Sequence, residues 1–466
     1  MYDRLLNLLK NKKRDTSGFK PHSVLRILVV VSFLLILTMA CVSRFDRHPD
    51  EIHHFLAAKY YTSHFAPPEI GDPSVRDSYS VWGLSYLNYQ WIEYFLAGKF
   101  MVAVSPVVDD PVLAARLFNG FLFFGLALWL ITRAREHPEG LVLACFLIIS
   151  PQIWYIFSYV NSDGFALFIS LLLAFQIASP GSLTNKFLTA ESFKWAPGTL
   201  FGTLIGLLLI AKTNYWAFLV FVAIWLASAF PVNRTTLRRF AFAGVIALSV
   251  LAFRVALDFY SSGETNFAGA AYLTYISGNF EKDQNRLLAY QEEIAETPFK
   301  PSTIDNDLGN TYPGLKLRAK GVTFVQMFTE MRWLQISFES FTGVYGYMDT
   351  VSPKLYSRVM ALIYLGFGLF LAGSAIFSRD RKSLVQLAAL VFSCLLTIFV
   401  SAFVSWNYAF QPQGRYLFPI IPMIGIFVCA NRRHLNGLAV HIFVFGAFLL
   451  SVYSFVFVGL REVNGR

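Results

Sequence analysis

Charge and cysteine are what this chain has least of. Only 15% of its 466 residues are Asp, Glu, Lys or Arg, against 55% hydrophobic and 17% aromatic, a balance that excludes an ordinary soluble domain of this size. The four cysteines, Cys41, Cys145, Cys394 and Cys429, all fall in apolar blocks, which excludes a disulfide framework and a zinc-knuckle spacing. Apolar and polar residues do not alternate along those blocks, so a membrane β-barrel is excluded too. The sequence has no glycine-rich nucleotide loop after a strand pattern, no HExxH and no internal repeat. Its formal charge of +10 is spread along the chain rather than gathered in one patch, so it speaks for topology and not for nucleic acid.

What remains is a series of apolar blocks near the ~20 residues that cross a ~30 Å hydrocarbon core as a helix. The fold class expected is an all-α integral membrane protein with about eleven transmembrane helices. Residues 1–26 carry Arg4, Lys10, Lys12, Lys13, Arg14, Lys20 and Arg26 and are expected in the cytoplasm. The first block lacks a small-residue cleavage site and reads as a retained anchor. Helices 1–7 are expected within 27–257, including a first outer loop, 43–111, whose amphipathic stretches 51–65 and 84–104 suit the membrane interface. Helix 3 is expected unbroken over 139–157. A long extracytoplasmic loop, 258–354, separates these from helices 8–11 within 355–466.

Basic residues mark alternate helix ends, among them Arg133 and Arg135, Arg238 and Arg239, Arg381 and Lys382, and Arg432 and Arg433. These ends are expected inside. The unusual polar groups then all emerge on the other, outer side: His48-Pro49-Asp50-Glu51-Ile52-His53-His54 after helix 1, Asn161 and Asp163 at the start of helix 4, Lys212 between helices 5 and 6, and Gln413, Arg415 and Tyr416 before helix 10. Ionisable groups this close to hydrocarbon are costly unless they pair or do chemistry, so a composite outer site is the economical explanation.

In the first cluster, His48 is expected as a helix N-cap with Pro49 next and both acids in the first turn. Capping alone explains that pattern. The functional alternative notes that Asp50 and His54, four apart, share a helical face, where a carboxylate can serve as a base. A divalent metal on His53 or His54 with Asp50 or Glu51 is a third alternative, although the spacing matches no strong zinc motif. Arg415 presents a planar fork suited to phosphate or carboxylate oxygens, with Gly414 leaving room beside it; an interfacial anchor is the plain alternative. Lys212 has the same two explanations, and Asn161 and Asp163 are also simple N-cap candidates.

With HPDEIHHF at 48–55, YVNSDGFA at 159–166, GLLLIAKTNYW at 206–216, SFTGVYGYM at 340–348 and QGRYLFPIIP at 413–422, the chain resembles the GT-C class of polytopic membrane glycosyltransferases, and within it a bacterial branch of uncharacterised membrane proteins. The layout match covers nearly the whole chain, and the Asp-Glu pair and the Gly-Arg-Tyr segment are its most pointed motifs. The resemblance implies a polyprenyl-phosphate-linked sugar as donor, a glycan or glycolipid acceptor, and transfer on the extracytoplasmic face of the bacterial inner membrane. It implies Asp50 as base or acceptor-orienting group, with Glu51 as its partner and His54 beside them. Arg415 and Lys212 are expected on the donor phosphate, and His53, Asn161, Asp163, Gln413 and Tyr416 around the substrates. Metal use varies within the class and is not carried over. The rival functions are a lipid-linked glycan polymerase or ligase, and a transporter or flippase, which would instead place ionisable groups near the bilayer midplane in repeated halves.

Overall fold

The computed structural model describes residues 21–89, 91–230, 233–264, 286–305 and 311–461. Most of the basic segment expected in the cytoplasm, and part of the long outer loop, lie outside these residues. The chain is a helical membrane protein. Helix α1 (Pro21–Val42) leads to α2 (Glu51–Tyr60), α3 (Ile92–Val104) and α4 (Pro111–Arg133). Short α5 (Glu139–Phe146) and α6 (Pro151–Ile156) precede α7 (Ser162–Ala178), α8 (Trp195–Ala211), α9 (Trp216–Ala229) and α10 (Arg234–Ser262). After α11 (Arg286–Ile294) and α12 (Trp333–Gly343) comes an antiparallel pair, β1 (Val344–Tyr345) and β2 (Thr350–Val351). Helices α13 (Lys354–Phe377), α14 (Arg381–Asn407), α15 (Ile420–Asn431) and α16 (Gly437–Ser454) complete the bundle.

Each expected apolar block is helical, but the helix count does not carry through as a count of crossings. Among the described residues seven helices are long and apolar enough to span a membrane, or eight if Ser162–Ala178 and Leu183–Thr189, bent by 43°, form one span. Two local causes shorten the rest. Pro151 supplies no backbone donor and clashes with the preceding turn, so the helix expected over 139–157 breaks, and Ser150 starts afresh as an N-cap accepting from Gln152 N at 3.2 Å. The extended backbone of Lys212 (φ −148°) separates α8 from α9, which are 17 and 14 residues long.

Helix packing explains a pattern in α8 that composition alone hides. Gly198, Gly202 and Gly206 recur every four residues on the face turned to α10. A Cβ on Gly206 would come within 2.7 Å of Val250 Cβ, and one on Gly202 within 2.5 Å of the Ala243 carbonyl. Small residues at this spacing let two membrane helices close on each other's backbones.

The segments outside the bundle fold over one end of it. Tyr290 and Ile294 of α11 pack into the apolar cluster formed by α2, α3 and α4. Glu296 N donates to the Val81 carbonyl at 3.0 Å, and Lys316 N and Phe410 N pair with Tyr408 O and Gly314 O, each at 2.7 Å. At the opposite end of the bundle the helix termini are tied by Arg432–Glu139 and Arg433–Asp380 ion pairs, both at 2.8 Å. The polar cluster and the basic ends therefore sit at opposite poles.

Candidate active site

The covered end of the bundle owes its geometry to one buried arginine. Arg116, on the first half of α4, is 3% exposed and uses all five of its donors. Its Nε and one terminal nitrogen grip the two Glu51 oxygens at 2.6 and 2.9 Å, and the remaining donors take the carbonyls of Ala40 and Ser43, both at 2.8 Å, and Arg44 at 3.0 Å. Glu51 also accepts from Asp46 N at 3.0 Å. The fork thus ties the last turn of α1, whose carbonyls lack helical partners, to the first turn of α2. Beside it His48 is fully buried, with Nδ1 at 2.9 Å from the Tyr155 hydroxyl and its ring stacked on Tyr159.

Between these two anchored residues the chain turns sharply. Asp50 adopts the left-handed conformation (φ 57°, ψ 18°) and caps nothing with its side chain, so α2 starts at Glu51. Asp is one of the few residues that tolerate this region. The turn sends the neighbouring acids apart: Glu51 inward to Arg116, Asp50 outward into a cavity of about 380 Å³. There Asp50 Oδ2 accepts from the Tyr86 hydroxyl at 3.2 Å and stands 4.0 Å from Arg415.

The cavity floor is made by the ends of three bundle segments. Asp163 lies in the first turn of α7, fully buried, where its charge suits the helix N-terminus. Lys212 reaches it at 2.5 Å from the α8–α9 junction, and Arg415 at 3.8 Å from the turn before α15. Burial draws the Lys212 ammonium below its usual pKa range, with Asp163 opposing the shift. Gln413 Oε1 orients the Arg415 fork by accepting from Nε at 2.6 Å, and the Tyr416 hydroxyl donates to Gln411 at 2.7 Å. Gly414 is required here for space: its N–H donates to Ser340 Oγ at 3.0 Å, and a Cβ would collide with the backbone of Phe341.

His53 and His54 both line the cavity. The His54 ring is stacked on Tyr86 with centroids 4.0 Å apart, and its Nδ1 lies 2.6 Å from the Tyr94 hydroxyl. Burial, reinforced by Arg415 and Lys212, holds this imidazole well below its usual pKa, so it is neutral at pH 7 and offers a hydrogen bond rather than a charge. Tyr347 and Met348, between β1 and β2, close another side of the cavity, with the Tyr347 hydroxyl on Asp46 at 2.7 Å and Arg47 paired to Asp349 at 2.9 Å.

Residues 63–424 match the family described as predicted membrane protein DUF2142, a span that takes in the floor of this cavity and most of the bundle. The chain belongs to the DUF2142 family. No curated protein matches it. Among solved structures it is similar to the archaeal oligosaccharyltransferase AglB from Archaeoglobus fulgidus in complex with an inhibitory peptide and a dolichol-phosphate, at 14% identity and a TM-score of 0.42, over 94% of this chain and 56% of that one. The DUF2142 chain thus spans little more than half the length of that structure.

Of the residues singled out in this DUF2142 sequence, the structure brings Asp50, His53, His54, Lys212, Gln413, Arg415 and Tyr416 to one cavity, with Asp163 directly behind it. Two go elsewhere. Glu51, expected beside Asp50 in catalysis, is consumed by Arg116 on the far side of the turn. Asn161, expected near substrate, is buried as the α7 N-cap, accepting from Gly164 N at 3.1 Å while its amide donates to the Ile156 and Tyr159 carbonyls. The N-cap expected at His48 is corrected to Asp50, with the helix beginning at Glu51 rather than Pro49, because His48 is buried against Tyr155 and Tyr159. Among the described residues no three His, Cys, Asp or Glu side chains converge as metal ligands. Arg116, Tyr86 and the cavity aromatics gave no sequence signal beyond their presence in amphipathic or apolar stretches.

Proposed function

We propose that this protein is a membrane glycosyltransferase that moves a sugar from a polyprenyl-phosphate donor to an acceptor hydroxyl on the extracytoplasmic face of the bacterial cytoplasmic membrane. The observation that carries this is the pairing, in one cavity, of a carboxylate freed from capping with two cations that share a single buried acid, Asp163. That floor holds a surplus of positive charge at the level of the helix ends, where the phosphate of a bilayer-borne lipid arrives. The GT-C resemblance in the residues after α1 and before α15 points the same way.

Asp50 takes the proton from the acceptor hydroxyl as that oxygen forms its bond to the anomeric carbon. The bond from the anomeric carbon to the phosphate oxygen breaks, and its electron pair leaves with the lipid phosphate. Arg415 and Lys212 stabilise the charge gathering there through charge-assisted hydrogen bonds in a water-poor site. Attack from the face opposite the leaving group inverts the anomeric centre.

The test is transfer by purified protein in nanodiscs, supplied with a panel of labelled polyprenyl-phosphate sugars and a cell-envelope glycan extract. Arg415→Ala is expected to lower kcat/KM by roughly 10²-fold, the usual cost of removing one transition-state donor. Arg415→Lys should recover little of it, since an ammonium lacks the planar fork. Wild-type transfer rates in Arg415→Ala would remove the phosphate role assigned to this residue.

A further inference from the structure

Charge is unevenly placed in the cavity. The cations Lys212 and Arg415 occupy its floor, whereas the wall built by Ser80, Trp82, Leu84, Tyr86 and Tyr408 carries no acidic or basic side chain. Asp50 sits where the two regions meet, bonded to Tyr86 on one side and 4.0 Å from Arg415 on the other. We propose that this wall is the acceptor subsite and that it takes the pyranose ring of a carbohydrate acceptor, an inference that rests on the glycosyl-transfer function proposed above.

The wall is held in place before any ligand arrives. Trp82 is backed by Phe299 with ring centroids 4.2 Å apart, and its carbonyl accepts from Gln291 Nε2 at 2.9 Å. Tyr86 is backed by His54. Aromatic surfaces fixed in this way give large contact area at little cost in side-chain entropy. At the edge of these rings stands Asp50, whose carboxylate is 45% exposed and faces the cavity.

A pyranose matches both features. Its C–H face packs on an aromatic ring, and its hydroxyl edge donates to the Asp50 carboxylate. An acyl chain would set hydrocarbon against the Asp50 carboxylate at the edge of the wall, which is costly. An extended peptide is recognised chiefly through its backbone, and this wall offers side chains instead. The position of Asp50 at the edge of the wall then places a ring hydroxyl, and not a remote one, beside the base.

The test is saturation-transfer NMR on the full-length protein in nanodiscs, with soluble disaccharides covering gluco, galacto and 2-acetamido rings and with a tetrapeptide as separate probes. At least one disaccharide is expected to receive saturation along one pyranose face. Trp82→Ala is expected to weaken that sugar about tenfold, or about 1.4 kcal/mol, and Trp82→Phe to restore most of the loss. In Trp82→Ala, undecaprenyl phosphate is expected to raise the unfolding temperature by as much as in the wild type, which would show the floor intact. Saturation of no sugar, saturation indifferent to Trp82→Ala, or saturation of the tetrapeptide alone would overturn the assignment. The two proposals fail separately: a wild-type protein that ignores undecaprenyl phosphate removes the donor assignment, while the sugar arm decides the wall.

Discussion

Asp50→Asn is expected to lower kcat for transfer by about 10²–10⁴-fold with donor binding nearly unchanged. The substitution keeps the shape of the side chain and the hydrogen bond from Tyr86, now to an amide oxygen. Asn also tolerates the left-handed backbone that Asp50 requires, so the turn and the cavity survive. What is lost is the ability to accept a proton. The split between kcat and donor affinity is the informative readout, because a merely structural residue would disturb both. Rates of transfer by purified Asp50→Asn equal to wild type would show that the proton goes elsewhere.

Arg116→Met should cost more folding free energy than any other single change near the site, about 3–5 kcal/mol, because it leaves Glu51 charged and buried with its partner gone. Three carbonyls at the end of α1 lose their donor as well. Pairing the change with Glu51→Gln removes the buried charge and should recover a large part of the loss, whereas Glu51→Gln alone costs less than Arg116→Met. Unfolding followed by tryptophan fluorescence in nanodiscs, for the two single variants and the double, measures the coupling directly. Arg116→Met unfolding within ~0.5 kcal/mol of the wild type, the range of an ordinary surface change, would contradict the role given to this fork.

Much of the arrangement was legible in the sequence, and the reasons are specific. Long apolar blocks with basic ends mark the helices because few other structures tolerate such runs. The convergence of Asp50, Asp163, Lys212 and Arg415 follows from their shared position at one set of helix ends. Glu51 shows where that reasoning stops. Two adjacent acids look equivalent along a chain, and only the positive φ of Asp50 separates their fates. Arg116 was hidden for a related reason: a single arginine near the end of an apolar helix resembles an interfacial anchor until its five partners are seen. Pro151 was visible as a helix breaker, yet the apolar run on both sides of it masked the break. The aromatic wall comes from segments that share no period, so no pattern in sequence joins Trp82 to Tyr408.

Arg116 also gives the proposed base, Asp50, a fixed height. Through the carbonyls of Ala40 and Ser43 it couples the turn bearing Asp50 to the upper rim of α1, a helix whose Ile27, Val30 and Leu34 are turned outward. A helix of 22 residues rises about 33 Å at ~1.5 Å per residue, close to the thickness of the hydrocarbon layer it must match. The phosphate of the proposed donor, in contrast, would take its level from the surrounding headgroups. On the function proposed above, hydrophobic matching of α1 would set the vertical register between Asp50 and a lipid-borne phosphate, so that the acyl-chain length of the host bilayer would bear on how well the two align.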